Sequence, residues 1–239
     1  MKMLGDMRQY ILLLVLAVCM NGWAHESITI EARKNYLVKL QEGNQVLSAN
    51  PAVHVKAKTL YQIGVTLEEI RELFNQDIIS HGAVKGLDSN LLLTELARAG
   101  FKLEMSPKIG LYLSQLQYYR EAIKLDNKAA FADHARYLLL KNHFYDSFTD
   151  NPLTPLSQSK EALSELLDVG ERLQKVKDKN INQEEVKFIL AIHYLQAVQQ
   201  QLIGKDEGLK KFKKLLTELS RDYPQSLKPM TLEALSAGL

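Results

Sequence analysis

Apolar residues recur at three- and four-residue intervals along nearly the whole chain, and neither a sustained two-residue alternation nor an Asn-Gly hairpin signal interrupts them. That rhythm calls for helices with one apolar stripe each and leaves no segment for a half-buried sheet. The expected fold class is all-α. A single stripe has no stable partner but another stripe, so the helices are expected to pair as antiparallel hairpins and the hairpins to stack.

The spacing predicts a helix over 31–47, with Tyr36, Leu37, Leu40 and Leu47 on its inner side. Pro51 then stands where a first turn accepts it, and a second helix is predicted over 52–79, striped by Val53, Leu60, Ile63, Leu67, Ile70 and Phe74. Asp88 or Ser89 is read as the cap of a helix over 90–99, ended by Gly100. After a non-helical stretch at 101–105, Ser106-Pro107 is expected to open a helix that runs to Leu125. Further helices are predicted over 128–148, 157–177, 183–202, 207–221 and 229–237, with Asn182 and Glu185 in capping-box register at the start of the third. Asp150 to Pro155, with Pro152 and Pro155, is the clearest break, a possible subdivision within one domain over 25–239.

The first residues read differently. Lys2 and Arg8 precede an unbroken apolar run from Ile11 to Met20, and Gly22-Trp23-Ala24 supplies small residues at the −3 and −1 positions of a cleavage site. Residues 1–24 therefore read as a secretory signal peptide, and the protein is expected to be periplasmic or secreted after cleavage near Ala24. Ten residues of helix rise only about 15 Å, against roughly 30 Å of bilayer core. No later stretch is long and apolar enough to span, so no transmembrane segment is expected in the mature chain. Cys19, at the end of the apolar run, offers the alternative of a lipid anchor, although Val18 is bulkier than the residue usual before an acylated Cys. Cleavage after Ala24 would remove Cys19 and Trp23, the chain's single Cys and single Trp. The mature protein would then have no disulfide, no thiol nucleophile and no cysteine metal ligand. Charge excludes little: 30 basic residues face 28 acidic ones, a formal +2, so nothing calls for a polyanion and nucleic acid is not an expected partner.

In residues 57–67, Leu60 stands where an aromatic residue is usual, Ile63-Gly64 at a Leu-Gly pair and Leu67 at the next packing site, so the segment resembles the first helix of a tetratricopeptide repeat. Tyr119 to Asn127 resembles the second helix and its exit, and Phe131 to Leu140 the first helix of a following repeat, with Tyr137, Leu140 and Phe144 at the aromatic, Leu and aromatic sites. Lys141 stands where the small residue belongs. Tyr223-Pro224-Gln225-Ser226, after the helix around 216, looks like another exit. About half the mature chain carries the likeness, and no unit satisfies every position. The resemblance implies an α-solenoid of stacked hairpins that binds a protein or peptide and does not catalyse.

Enzyme signatures are missing: there is no Gly-x-Gly-x-x-Gly, no P-loop and no Gly-x-Ser-x-Gly. His25 would become the N-terminus, where its amine and imidazole could chelate copper, but a frayed, solvated end is the simpler reading. His54, His81, His134, His143 and His193 lack metal-ligand spacing; His134 and His143 would point about 180° apart on one helix. No metal and no cofactor is expected. Glu68-Glu69 and Glu184-Glu185 are read as solvated or, for the second pair, as first-turn charges. Lys210, Lys211, Lys213 and Lys214 are read as a solvated face over Leu209, Phe212, Leu215, Leu216 and Leu219. Aromatic side chains offer the largest contact area, so the candidate partner-binding residues are Tyr112, Tyr119, Tyr137, His143, Phe144 and Tyr145, although core packing could claim the same side chains. The function expected is a scaffold for another envelope protein or a peptide; the alternative is a helical domain that binds a small ligand or glycan in envelope transport or metabolism.

Overall fold

The computed structural model describes residues 29–107, 110–146 and 159–237. It is all-helical. Among the described residues there are nine helices: α1 (Ile30–Ser48), α2 (Val53–His81), α3 (Leu87–Arg98), α4 (Leu116–Leu125), α5 (Ala132–Asp146), α6 (Lys160–Leu173), α7 (Gln183–Gln199), α8 (Lys205–Asp222) and α9 (Lys228–Ser236). The leader and the Pro-bearing segment 150–155 lie outside the described residues. No helix among the described residues is long and apolar enough to cross a membrane.

Most predicted helices are found within a few residues of their expected ends, because caps and breakers are local. The Asn182 side chain accepts from the Glu185 amide at 3.2 Å, and Ser159 caps α6 through the Ala162 amide at 3.1 Å. α3 closes in a Schellman turn: Gly100, at φ 85°, lets Phe101 N reach Leu96 O at 2.9 Å. Its start differs from expectation, since Leu87 follows directly on Gly86 and Ser89 is a buried helical residue.

The larger departure is at Ser106-Pro107, which opens no helix. Ser106 N bonds Leu111 O at 2.8 Å, Leu113 N bonds Glu104 O at 2.7 Å, and Met105 and Tyr112 form an isolated antiparallel bridge. Gly110 takes φ 67°, and its amide bonds Ser106 O at 2.9 Å. The backbone groups a first turn would have used are thus paired across a narrow hairpin, and α4 begins only at Leu116.

Residue contacts divide the chain into two compact units, one ending at Asn142 and the next beginning at His143, both inside α5. In the first, α2 is the axis. α1 lies antiparallel to it, Gly43 facing Ile63 and Lys39 facing Glu69. α3 runs beside α1, tied by Arg33 to Asp88 at 3.3 Å and by Asn44 to Ala99 O at 3.2 Å. Leu40, Ile63, Leu67, Ile70, Phe74, Leu92, Leu96 and Phe101 form the core. Each such side chain contributes about 1.5–3 kcal/mol on burial.

α4 packs antiparallel on α2 although α3 and the hairpin intervene in sequence. Gly64 permits it: a Cβ there would stand 2.8 Å from the Tyr119 ring.

In the second unit α7 is the axis, buried at Val186 and at every position from Phe188 to Ala197. α6 and α8 flank it, and α9 packs on both α7 and α8. Glycines again mark the crossings, Gly170 against Leu190 and Gly208 against Val198.

Candidate functional site

The six aromatic and histidine candidates do not form one exposed surface. Tyr119, 1% exposed, lies in the core of the first unit with its ring edge against Gly64. Tyr137 is also buried. Tyr112 is half-buried, its ring 5.7 Å from that of Phe74 and its backbone pinned by Asn75, whose amide both donates to Tyr112 O at 2.9 Å and accepts from Tyr112 N at 2.7 Å. In the second unit Phe144 is 2% exposed and packs edge-on to Phe188 and His193 at 6.2 and 6.1 Å. Tyr145 is half-buried and donates to Glu185 Oε1 at 2.7 Å; His143 is half-buried. Tyr119, Tyr137 and Phe144 thus have little surface for a partner, while Tyr112, His143 and Tyr145 retain some.

Geometry converges instead on one flank of α2. Tyr61, Glu68, Arg71, Glu72 and Asn75 follow one another at helical spacing and meet α4, α5 and the hairpin. Glu68 is buried, not solvated as its place in a Glu-Glu pair suggested. Arg71 clamps it with Nε on Oε2 at 2.9 Å and Nη2 on Oε1, and reaches Tyr112 O. Glu72 pairs with Lys141 of α5 at 3.1 Å. The Tyr61 hydroxyl and His134 Nδ1 share a hydrogen bond of 2.6 Å, and the Tyr61 ring stacks on Phe131 at 4.8 Å between centroids.

The Tyr119 hydroxyl is buried among these groups with no hydrogen-bond partner. Burial first, then the Glu68 carboxylate, Tyr61 and Glu72, push its ionisation well above the ordinary phenol range, so it is a neutral donor at any physiological pH. Leaving such a donor unpaired costs about 1–3 kcal/mol. The signal for this flank was present in the sequence: Glu68 and Arg71 at i,i+3, with Asn75 one turn on, interrupt an otherwise apolar helix side.

The second unit joins its three long helices through Glu171, Tyr194 and Lys211. Tyr194 donates its hydroxyl to Glu171 Oε1, Lys211 Nζ reaches the same oxygen at 3.0 Å, and Lys211 also sits 5.1 Å above the Tyr194 ring. The Tyr194 hydrogen bond, then Lys211, holds the Glu171 carboxyl below its usual range. Lys211 is therefore tied into the fold, whereas Lys210 and Lys213 are exposed as expected. Phe212, Leu215 and Leu219 point inward as the lysine-face reading required.

His193 is the outlier. It lies fully inside the unit, its Nδ1 has no partner, and burial, then the neighbouring His143, pushes its pKa down to about 3. At neutral pH it is an uncharged core side chain.

An open groove of about 480 Å³ follows the end of α6, lined by Gln174, Val176, Lys177, Asp178, Gln183, Lys187 and Tyr223. Gln183 donates to Leu173 O at 3.0 Å and Val176 O at 2.9 Å, closing the helix end beneath it. Lys187 is held by Glu218 at 3.0 Å and Asp222 at 2.8 Å. Sequence reading did not point to this groove, because it is made by a loop and two helix ends and not by any stripe. Among the described residues no cluster of His, Cys, Asp and Glu is arranged to hold a metal ion.

Comparison with known proteins does not identify the chain: no family model, no curated protein and no solved structure matches it.

Proposed function

We propose that this chain is exported, cleaved after Ala24, and acts in the cell envelope as a non-catalytic helical-repeat scaffold, similar in design to tetratricopeptide proteins, that holds another envelope protein or a peptide. What supports the reading is the pairing of helices. The two segments that resemble the first and second helices of a repeat, around Gly64 and Tyr119, lie antiparallel on one another across a glycine contact. The same relation joins α7 to α8, whose exit is Tyr223-Pro224-Gln225-Ser226. On this reading α3 and the hairpin are an insertion within one repeat.

The surface assigned to the partner is the groove beside Tyr223. Its volume lies within the range of ordinary ligand clefts, and its rim offers lysine, glutamine and a half-buried tyrosine to an extended peptide. A photo-crosslinking side chain at Lys177 should capture one discrete envelope protein, and Tyr223→Ala should abolish the adduct. The same group at exposed Lys85, in the other unit, should capture none. Equal labelling from both positions, or no adduct from Lys177, would defeat the proposal.

A further inference from the structure

We propose that the segment held in the groove beside Tyr223 is an acidic peptide in extended conformation, its carboxylates turned toward a rim of Lys175, Lys177 and Lys179. The inference deepens the scaffold reading and rests on it, since it names the chemistry of the segment that the groove would hold.

Room for such a segment is present. The groove is open and about 480 Å³ in volume; the loop after α6 supplies Gln174, Val176, Lys177 and Asp178 to its lining, α7 supplies Gln183 and Lys187, and the end of α8 supplies Tyr223. Four residue steps from Gln174 to Asp178 reach at most about 14 Å, which suits about four residues of an extended chain. Gln183 donates from its amide nitrogen to Leu173 O and Val176 O, and its amide oxygen is left to accept from a partner's backbone.

Charge selects the occupant. Among the helix residues Lys187 is held by Glu218 at 3.0 Å and by Asp222 at 2.8 Å, and Arg221 reaches Asp222 at 2.7 Å, so two cations balance two anions. In the loop three lysines stand against Asp178 alone. Lys175, Lys177 and Lys179 are exposed, and none forms an ion pair among the described residues. Asp178 accepts from Asn180 N at 2.9 Å, and Glu171, within electrostatic reach of Lys175, is already engaged by Tyr194 and Lys211. The surplus positive charge is thus left for a partner. Exposure alternates along the loop, with Val176 and Asp178 half-buried between the lysines. An extended partner also turns every second side chain the same way, so carboxylates at alternate positions can face the rim together. An anionic membrane would be drawn to the same lysines, but the groove is concave and Asp178 and Asp222 stand among the cations, which favours a narrow segment over a flat sheet of phosphates.

The test is selection of a random heptapeptide phage library on the immobilised protein, followed by fluorescence anisotropy with synthetic copies of the selected peptides. These should be rich in Glu and Asp at alternate positions and poor in Lys and Arg. Lys177→Gln should weaken binding about two- to five-fold, and replacement of Lys175, Lys177 and Lys179 together by Gln about ten-fold or more. All three are exposed, so the melting temperature should not change, and Lys85→Gln in the other unit should leave binding as it was. Salt raised from about 0.05 M to about 0.5 M should weaken the complex. A neutral or basic consensus, no enriched peptide, or unchanged affinity in the triple variant would overturn the proposal, as would phosphatidylglycerol vesicles binding with the same lysine dependence while peptides do not. The photo-crosslinker at Lys177 replaces one lysine of the three and separates the two failures. An adduct there without acidic preference strikes this inference and leaves the scaffold reading, whereas no adduct strikes the reading itself.

Discussion

Single residues carry two liabilities that the helical pattern hides. Gln201 sits at φ 55°, where α7 ends in a Schellman turn, with Leu202 N on Ala197 O at 2.8 Å and Gln201 N on Val198 O at 3.1 Å. A side chain in the left-handed region costs about 1–2 kcal/mol that glycine does not incur. Gln201 is exposed, so its side chain offers little in return. Gln201→Gly should therefore raise unfolding stability by about 0.5–1 kcal/mol in urea denaturation, with the slope unchanged.

His193 works in the opposite sense, through pH. Its folded pKa, about 3, lies below the ordinary value of 6.5, so the unfolded chain takes up a proton that the folded chain refuses as acidity rises. Stability is complete above the unfolded pKa and falls between pH 6.5 and pH 3. From pH 7 to pH 5 this residue alone should cost about 2 kcal/mol. His193→Gln should lose less stability than the parent over that interval, and parallel pH profiles for the two would refute the account.

At the scale of elements, the pairing of 104–106 with 111–113 depends on α2. Asn75 replaces two hydrogen bonds that a strand partner would supply to Tyr112, and does so from a buried position. Asn75→Ala would leave a backbone donor and an acceptor without those bonds, at a cost of about 1–3 kcal/mol. Hydrogen exchange at the Tyr112 amide should accelerate by an order of magnitude or more while amides in the middle of α7 keep their protection.

Helix existence and most boundaries were readable from periodicity and caps, as at Asn182 and Gly100. Ser106-Pro107 misled because the same pair suits a helix start and a turn, and the decision lay with Gly110 and with a bridge from Met105 to Tyr112 that no local window contains. The aromatic candidates were only half legible for a similar reason. Tyr119 and Phe144 announce contact area, but what they contact, Gly64 on α2 and Phe188 on α7, is fixed by tertiary pairing. The burial of Glu68 was legible, against its reading as a solvated position, because its partner stands three residues away on the same helix.

At the scale of the whole molecule, cohesion among the described residues comes from apolar burial and from polar ties between helices, and none of those residues is a cysteine. The only cysteine is Cys19, inside the segment read as the signal peptide. If cleavage follows Ala24, the mature chain begins at His25 and contains no thiol, so its melting temperature should be the same with and without reductant, and intact mass should show neither an acyl group nor a thiol adduct. If Cys19 is retained and lipidated, the mass rises by the acyl chains, the N-terminal residue is Cys19, and the protein partitions into detergent. Cys19→Ser separates the two: export and N-terminal sequence stay as they were under cleavage at Ala24, whereas a lipoprotein loses its anchor. In the thiol-free case each unit resists unfolding without a covalent crosslink, through packing such as that of Gly64 on Tyr119 and of Gly208 on Val198 and through polar ties such as Glu72 to Lys141 and Glu171 to Lys211.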